Sequence, residues 1–182
     1  MEKICVVGLG SIGRRHCKVL KSHGFNDIIG IDLREDRRMQ ALDETGIAEV
    51  SSDLNNVLAT TERDTVFITL PTAFHTEILE QAVEHGCNLF IEKPVAATPD
   101  GLDEIAKNAK IKSLSSHVAY CYRYAPSVQR LKSIIDSSAL GRILSVRLHI
   151  STYLPDWHPW EDYRDFYMAK LDQGGGARLD ES

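Results

Sequence analysis

The sequence lacks the long apolar runs and the leader pattern that mark membrane and secreted proteins. No apolar run among its 182 residues approaches the roughly 20 residues of a transmembrane helix. Met1-Glu2-Lys3 leads directly into a strand-like segment, which is unlike the start of a signal peptide. With 43% hydrophobic and 26% charged residues, the chain is too apolar for disorder and too charged for a membrane protein. We therefore expect a soluble globular protein with no membrane partner.

Cysteine is also sparse, and an excess of positive charge is absent. The four cysteines form no C-x-x-C pair, and each lies in or beside an apolar segment: Cys5, Cys17, Cys87 and Cys121. This pattern predicts reduced, packed thiols and a cytoplasmic location. The 21 basic and 26 acidic residues give a net charge of −5, which argues against nucleic acid as a partner. The sequence contains neither a G-K-[ST] phosphate loop nor a G-x-S-x-G turn, so it does not indicate nucleotide hydrolysis or serine hydrolysis.

Short apolar runs alternate with amphipathic stretches along most of the chain. Strands are predicted at residues 4–7, 28–31, 66–70, 89–91 and 114–120. Helices are predicted around residues 11–23, 34–42, 78–83, 102–109 (behind an N-cap at Thr98) and 128–135. Such alternation indicates an α/β fold, with helices on both faces of a parallel sheet.

The pattern changes after Gly141. Residues 143–153 alternate apolar and polar side chains, which predicts an antiparallel strand. We place a boundary near residues 122–126 and predict a dinucleotide-binding domain at residues 1–124, followed by the start of an α+β substrate domain at residues 125–182. Because the strand at 143–153 lacks predicted neighbours, we expect it to pair with another copy, as in a homo-oligomer, or to be poorly ordered.

A glycine-rich turn follows the first predicted strand and opens the first helix. It reads Gly8-Leu9-Gly10-Ser11-Ile12-Gly13, which is the G-x-G-x-x-G pattern of a Rossmann dinucleotide-binding domain. The first glycine permits a tight turn, the second lets the backbone approach a pyrophosphate, and the third lets helix and strand pack closely. Ser11 and Ile12 lie at the start of the helix, where free N–H groups attract phosphate. A turn of this kind also occurs without a ligand, and methyltransferases use a similar loop.

An acidic residue follows the second predicted strand. Asp32 lies 19 residues after the last glycine of the turn, where a dinucleotide fold places an acid to accept the ribose 2′-OH. We assign Asp32 and its neighbour Leu33 to the cofactor site. The carboxylate would repel a 2′-phosphate, so NAD is favoured over NADP, although Arg34 could partly offset that repulsion. Arg14 and Arg15 either face an anion or are solvated surface arginines.

A lysine lies in a proline turn after the strand at 89–91. Glu92-Lys93-Pro94 occupies the carboxyl end of this strand, where open α/β sheets bind their ligands. The proline restricts Lys93 to extended geometry, which aims its side chain consistently. A partly desolvated lysine can act as an acid, a base or a hydrogen-bond donor. A lysine in this place is also often an ordinary surface residue.

Five motifs together resemble those of the Gfo/Idh/MocA oxidoreductases, a family named after glucose–fructose oxidoreductase and inositol 2-dehydrogenase. Two of them are the glycine-rich turn and Glu92-Lys93-Pro94, which is the family's hallmark. The other three are Leu70-Pro71-Thr72-Ala73-Phe74-His75, Tyr122-Arg123-Tyr124-Ala125-Pro126 and Gly174-Gly175-Gly176-Ala177-Arg178-Leu179-Asp180. The resemblance covers essentially the whole chain.

The resemblance implies a Rossmann domain followed by a domain dominated by an open antiparallel sheet. Members mostly interconvert a secondary alcohol and a ketone on sugars, polyols or their derivatives, with NAD or NADP. By this resemblance, Lys93 would bridge the cofactor and the reacting hydroxyl, and Glu92 would hold the nicotinamide ribose. The middle of the cofactor would be lined by Leu70, Pro71, Thr72 and His75. For His75, a capping or packing role at the start of the next helix is an equal alternative.

The resemblance also implies a substrate side. Asp180 matches an acid that faces the substrate together with a histidine a few residues later, and the sequence ends at Ser182 before such a histidine. We expect further substrate contacts from Arg123 and Trp157, although the aromatic loop around Trp157 could instead contact another subunit. That loop matches no firm metal signature, so no metal is predicted. His117 is expected to be a satisfied core residue.

Two functions remain open at this point. The first is an NAD-dependent dehydrogenase of a sugar, amino sugar or cyclitol, of which the chain is the N-terminal portion. The second is a catalytically silent dinucleotide-binding sensor or interaction module, because the chain ends before the family's acid/base histidine.

Overall fold

The computed structural model describes residues 2–149, 151, 153–157 and 162–175. Six parallel strands form one sheet in the order β3-β2-β1-β4-β5-β6. The strands are β1 (Ile4–Val7), β2 (Ile28–Ile31), β3 (Glu49–Ser51), β4 (Thr65–Ile68), β5 (Asn88–Ile91) and β6 (Ser116–Val118). This strand order is that of doubly wound dinucleotide-binding folds, so the predicted α/β Rossmann architecture is confirmed.

Seven α-helices and several short 3₁₀ turns are described along the chain. The helices are α1 (Ser11–Ser22), α2 (Glu35–Thr45), α3 (Leu54–Thr60), α4 (His75–Glu84), α5 (Leu102–Ile111), α6 (Pro126–Asp136) and α7 (Leu154–Trp157). The 3₁₀ turns lie at Thr72–Phe74, Cys121–Tyr124, Tyr163–Asp165, Tyr167–Ala169 and Leu171–Gln173. Among the described residues, we find no helix long and apolar enough to cross a bilayer.

The central strands are apolar on both faces, because helices cover the sheet from both sides. Side chains that alternate along β1 enter two different clusters: Cys5 and Val7 pack with α3, α4 and α5, whereas Ile4 and Val6 pack with α1 and α2. Every residue of β1 and β2 is buried. A continuous apolar run is therefore the expected sequence of such a strand, and both strands were predicted to the residue.

Three elements (β3, α3 and the four-residue α7) were not predicted from the sequence, and one predicted start point was wrong. The edge strand β3 has only three residues, and its apolar content is a single half-buried Val50. The short helix α3 does carry a signal, because Asp53 caps it by accepting from the Asn56 N–H at 2.9 Å. Helix α5 begins after Gly101, at φ +78°, and not behind a cap at Thr98.

The predicted strand at residues 143–153 is not formed in the part of that range that the structure describes. Residues 143–149, 151 and 153 have no regular structure, whereas residues 150 and 152 lie outside the described residues. The apolar side chains of this segment are exposed, as shown by Leu144, Val146 and Leu148 at 83%, 68% and 78%. A strand requires a neighbour for its N–H and C=O groups, and no described strand lies beside this segment.

A later segment packs back on the sheet domain. Phe166 is buried, and a Cβ built on Gly174 would lie 3.0 Å from the Ala73 nitrogen and 3.1 Å from the Thr72 Cβ. The 3₁₀ turn at Leu171–Gln173 and the following Gly174 thereby lie against the 3₁₀ turn that follows β4. The proposed boundary near residues 122–126 stays a prediction.

Candidate functional site

The carboxyl ends of the inner strands bring distant parts of the sequence to one edge of the sheet. The backbone ladder continues past the strands, since Gly8 N–H donates to the Ile31 carbonyl oxygen at 2.7 Å and Glu92 N–H donates to the Ile68 carbonyl oxygen at 2.9 Å. The glycine-rich turn and the lysine turn therefore lie at the same carboxyl-end edge of the sheet. The glycine-rich turn follows β1, at the switch in strand order between β1 and β4, and the lysine turn follows β5, which neighbours β4.

The glycine-rich turn is held by a close approach of α1. A Cβ at Gly13 would overlap the Gly8 carbonyl oxygen, so only glycine fits there. The hydroxyl of Thr69 lies 2.6 Å from the Gly8 carbonyl oxygen and 2.9 Å from that of Val7. Thr69 was missed by the sequence analysis, and its only signal was a polar residue at the end of an apolar strand. It fixes the turn from the neighbouring strand, 61 residues away from Gly8.

Gly10 is the position where the turn is open. Its φ is −64°, and a Cβ built on it would meet nothing within 4 Å. Helix α1, which begins at the next residue, has neither a side-chain cap nor an acidic residue in its first turn. By contrast, α2 has Glu35 and Asp36 in its first turn, and α3 is capped by Asp53. The N-terminal N–H groups of α1 and the open space beside Gly10 fit a pyrophosphate.

Arg14 is occupied by protein groups. It donates from Nη1 to the Leu9 carbonyl oxygen at 2.9 Å, and its Nε lies 3.4 Å from Glu44 Oε2. Hydrogen bonds from Gln40 and Lys18, and the charge of Arg14, lower the pKa of Glu44. Arg14 therefore ties α1 to α2, and the interpretation as a solvated arginine fails for it. Arg15 is exposed.

Asp32 lies inside the turn that follows β2. Its side chain is only 5% exposed, with Oδ2 accepting from Leu9 N–H at 2.8 Å and Oδ1 from Arg34 N–H at 2.9 Å. Arg37 Nη1 lies 3.6 Å from Oδ2. Each carboxylate oxygen can accept a second hydrogen bond, so capacity for a ribose hydroxyl remains. The neighbouring Leu33 is 86% exposed at this edge.

His75 is enclosed. Its side chain is 1% exposed, with Nδ1 3.1 Å from the Val95 carbonyl oxygen and Nε2 2.9 Å from the Leu70 carbonyl oxygen. A neutral imidazole donates to one of these carbonyls and a protonated ring donates to both. The geometry favours the packing interpretation, because the ring connects the turn after β4 to the loop after Lys93. Thr72 is also buried, at 3% exposed.

The lysine turn contains a contact that the sequence analysis missed. Lys93 is half-buried and is followed by a cis peptide bond to Pro94. Oε1 of Glu92 lies 2.8 Å from Nε2 of His16, which belongs to α1. Nothing in the local sequence predicts a pair of residues that are 76 positions apart.

The remaining predicted residues are exposed or lie outside the described residues. Arg123 is exposed in the 3₁₀ turn at Cys121–Tyr124. Trp157 ends α7, but its side chain and all of Asp180 lie outside the described residues. The core prediction for His117 is wrong, because β6 is an edge strand and leaves this side chain exposed.

The four cysteines also differ in burial. Burial raises the pKa of Cys5 to about 12 and that of Cys17 to about 11, and Cys87 is buried with a raised pKa. Cys121 is exposed, so the prediction of four packed thiols is wrong for it. In the described part of the chain, no group of three or more His, Cys, Asp or Glu side chains is arranged to hold a metal ion.

A family model described as an oxidoreductase family with an NAD-binding Rossmann fold, Gfo/Idh/MocA, matches residues 2–120. Levoglucosan dehydrogenase of Pseudarthrobacter phenanthrenivorans is 35% identical over 112 residues, which are 62% of this chain and 28% of that protein. D-xylose 1-dehydrogenase (NADP(+)) 2 of Haloferax volcanii is 26% identical over 176 residues, which are 96% of this chain and 52% of that protein.

Solved structures give the same relationship. The crystal structure of myo-inositol 2-dehydrogenase from Lactobacillus plantarum has a TM-score of 0.72 at 28% identity, covering 78% of this chain and 43% of that one. The chain thus spans about half, or less, of the length of the relatives that it matches.

Proposed function

The chain belongs to the Gfo/Idh/MocA oxidoreductase family, with an NAD-binding Rossmann fold, and from this premise we propose that it is the cofactor-binding part of a dehydrogenase. The reaction would interconvert a secondary alcohol and a ketone on a sugar, an amino sugar or a cyclitol. The relatives support this substrate class, since their names include levoglucosan, D-xylose and myo-inositol. NAD is preferred over NADP in this proposal, because the Asp32 carboxylate opposes a 2′-phosphate.

One observation carries the proposal. Gly10 has an open flank directly before a helix that is neither capped nor given an acidic first turn. The first N–H groups of α1 therefore have no side-chain acceptor at the cap, and the open space beside Gly10 leaves them accessible to an anion. Together with the enforced close approach of Gly13, these features support pyrophosphate binding at this turn.

The side chains around the turn have distinct tasks in this proposal. Asp32 would accept a hydrogen bond from the adenosine ribose, beside an adenine that contacts the exposed Leu33. Leu70, Pro71 and Thr72 would line the middle of the dinucleotide, and Glu92 would hold the second ribose. His75 would act from behind, by fixing the turn that carries them.

The reacting end centres on Lys93. NAD, when bound, would supply the hydride acceptor or donor. Nζ of Lys93 would hold the substrate oxygen, where the neutral amine would accept the hydroxyl proton as the alcohol is oxidised and the ammonium would return it as the ketone is reduced. Asp180, Arg123 and Trp157 would contact the sugar or polyol.

We further propose that the protein self-associates, because apolar side chains such as Leu131, Leu144 and Leu148 are exposed. The free thiols support action in the cytoplasm.

The test is to measure the binding of NADH to the chain, by fluorescence or by calorimetry. We expect saturable binding with a Kd below about 1 mM. Gly10→Ala should weaken the affinity for NADH at least about tenfold, since the methyl group would occupy the pyrophosphate position. The free energy of unfolding should stay within about 1 kcal/mol of the parent's.

The matched control is Ser22→Thr, which adds one methyl group at the exposed far end of the same helix. It should leave the affinity for NADH unchanged. Absence of NADH binding at millimolar concentration would overturn the proposal, and so would a Gly10→Ala protein that binds as well as the parent. In a longer form of the protein, Lys93→Ala should remove turnover and largely spare NADH binding.

A further inference from the structure

His16 connects the helix of the glycine-rich turn to the lysine turn. Its Nε2 lies 2.8 Å from Glu92 Oε1, and the two side chains are only 19% and 17% exposed. His16 lies one turn of α1 after Gly13, whereas Glu92 directly follows β5. The contact therefore spans the edge of the sheet from the phosphate end of the site to its reacting end.

The imidazole is held by aromatic neighbours from two strands. Its ring centroid lies 5.6 Å from that of Phe67 in β4 and 5.2 Å from that of Phe90 in β5, with Phe90 approached edge-on. The two phenyl rings are themselves stacked, with centroids 4.5 Å apart. Because these rings belong to the sheet, they fix the direction in which Nε2 points.

We propose that His16 is a positioning residue that presents the Glu92 carboxylate to the nicotinamide-side ribose of the dinucleotide. The inference rests on the proposed function, in which Glu92 holds that ribose. A donated hydrogen bond to Oε1 restricts rotation of the carboxyl group and leaves Oε2 to accept from a ribose hydroxyl. Either the neutral Nε2–H tautomer or the protonated ring supplies this donor.

The expected effect is modest and confined to one half of the ligand. Without the His16 donor, the Glu92 carboxylate must be ordered at the moment when the ribose binds. The net strength of one hydrogen bond corresponds to about a 3- to 10-fold change in affinity. The phosphate end should be unaffected, because the close approach at Gly13 and the contact of Thr69 with Gly8 do not involve the imidazole.

The experiment compares NADH with ADP by calorimetry on the chain. ADP has the adenosine and both phosphates but lacks the second ribose and the nicotinamide. His16→Phe keeps an aromatic ring against Phe67 and Phe90 and removes the donor. We expect it to weaken the affinity for NADH about 3- to 10-fold and to change the affinity for ADP by less than about 2-fold. His16→Gln keeps an N–H donor and should recover at least half of the loss in NADH affinity.

Two further measurements separate positioning from general damage. His23→Phe makes the same substitution at the exposed end of α1 and should leave both ligands unchanged. In a Glu92→Ala background, His16→Phe should have no additional effect on NADH, because His16 acts through the carboxylate. If His16→Phe lowers the thermal midpoint of unfolding, the same comparison in the Glu92→Ala background still shows whether the loss of NADH affinity depends on the carboxylate.

The outcomes are distinguishable. A parent chain that binds neither ligand overturns the proposed function, and this inference with it. A parent that binds NADH, with a His16→Phe variant that binds it equally well or loses NADH and ADP to the same extent, overturns the inference alone. An undiminished effect of His16→Phe in the Glu92→Ala background also overturns it.

Discussion

Helices α5 and α6 have similar length and similar amphipathic patterns, yet only α5 buries its apolar face. Ile105 and Ala109 of α5 are 7% and 9% exposed, whereas Leu131 and Ile135 of α6 are 45% and 40% exposed. Both helices were predicted from the same spacing. The comparison teaches that periodicity predicts the helix, while burial depends on whether a sheet face lies beside it.

The difference between the two helices extends to the regions around them. Helix α5 connects β5 to β6, and such a crossover between parallel strands places its helix on the sheet. Helix α6 follows β6, and no strand is described after it. No described sheet face lies beside α6, and its apolar side chains are consequently exposed.

Truncation of one isoleucine in each helix gives the largest expected effect. Ile105→Ala should lower the free energy of unfolding by about 2–4 kcal/mol, because it removes buried methyl and methylene groups from a packed core. Ile135→Ala should cost less than about 1 kcal/mol, because its side chain is already partly in water. Urea unfolding measures both. Equal losses would contradict the difference between the regions.

A glycine pair tests where the later region touches the earlier one. Gly174 and Gly141 both have positive φ, +80° and +64°, but only Gly174 approaches the Thr72–Phe74 turn. Gly174→Ala should therefore destabilise that turn by about 1–2 kcal/mol, through backbone strain and crowding. Gly141→Ala has the same kind of strain without the neighbour. Hydrogen exchange of the Phe74 amide should accelerate in the first variant only, and equal exchange in both would contradict the contact.

The smallest expected effect is a difference in thiol reactivity between the two regions, which labelling measures. Burial raises the pKa of Cys5 and Cys17, so these thiols stay protonated and shielded at neutral pH. Cys121, in the turn that begins the later region, is exposed. We expect one fast-reacting thiol per native chain at pH 8, which Cys121→Ser removes. Two or more fast thiols in the native chain would show that the earlier region opens readily.

The parts of the site that were predictable are those that a few neighbouring residues determine. Each of these parts follows an apolar run: the runs end at Gly8, at Asp32 and at Glu92, which begins the lysine turn. Parallel strands then bring their carboxyl ends together without further information. The enclosure of His75 was left open, since its sequence neighbours fit either role equally well.

The prediction at residues 143–153 failed for a related reason. Alternation describes the two faces that a strand would have, but a strand also needs a hydrogen-bonding neighbour. His117 failed in the same way, because an apolar run does not reveal that β6 is at the edge of the sheet. Both errors concern partners, which the local pattern does not contain.

The sequence by itself determined the α/β class, the glycine-rich turn and the two residue types, acid and lysine, that follow β2 and β5. These depend on periodicity, glycine geometry and proline geometry, which act over a few residues. Tertiary structure alone decided that Thr69 holds the Gly8 carbonyl and that His16 meets Glu92, across 61 and 76 residues of chain. Such contacts exist only after β1, β4 and β5 have paired, because the pairing of the strands sets which side chains meet at their ends.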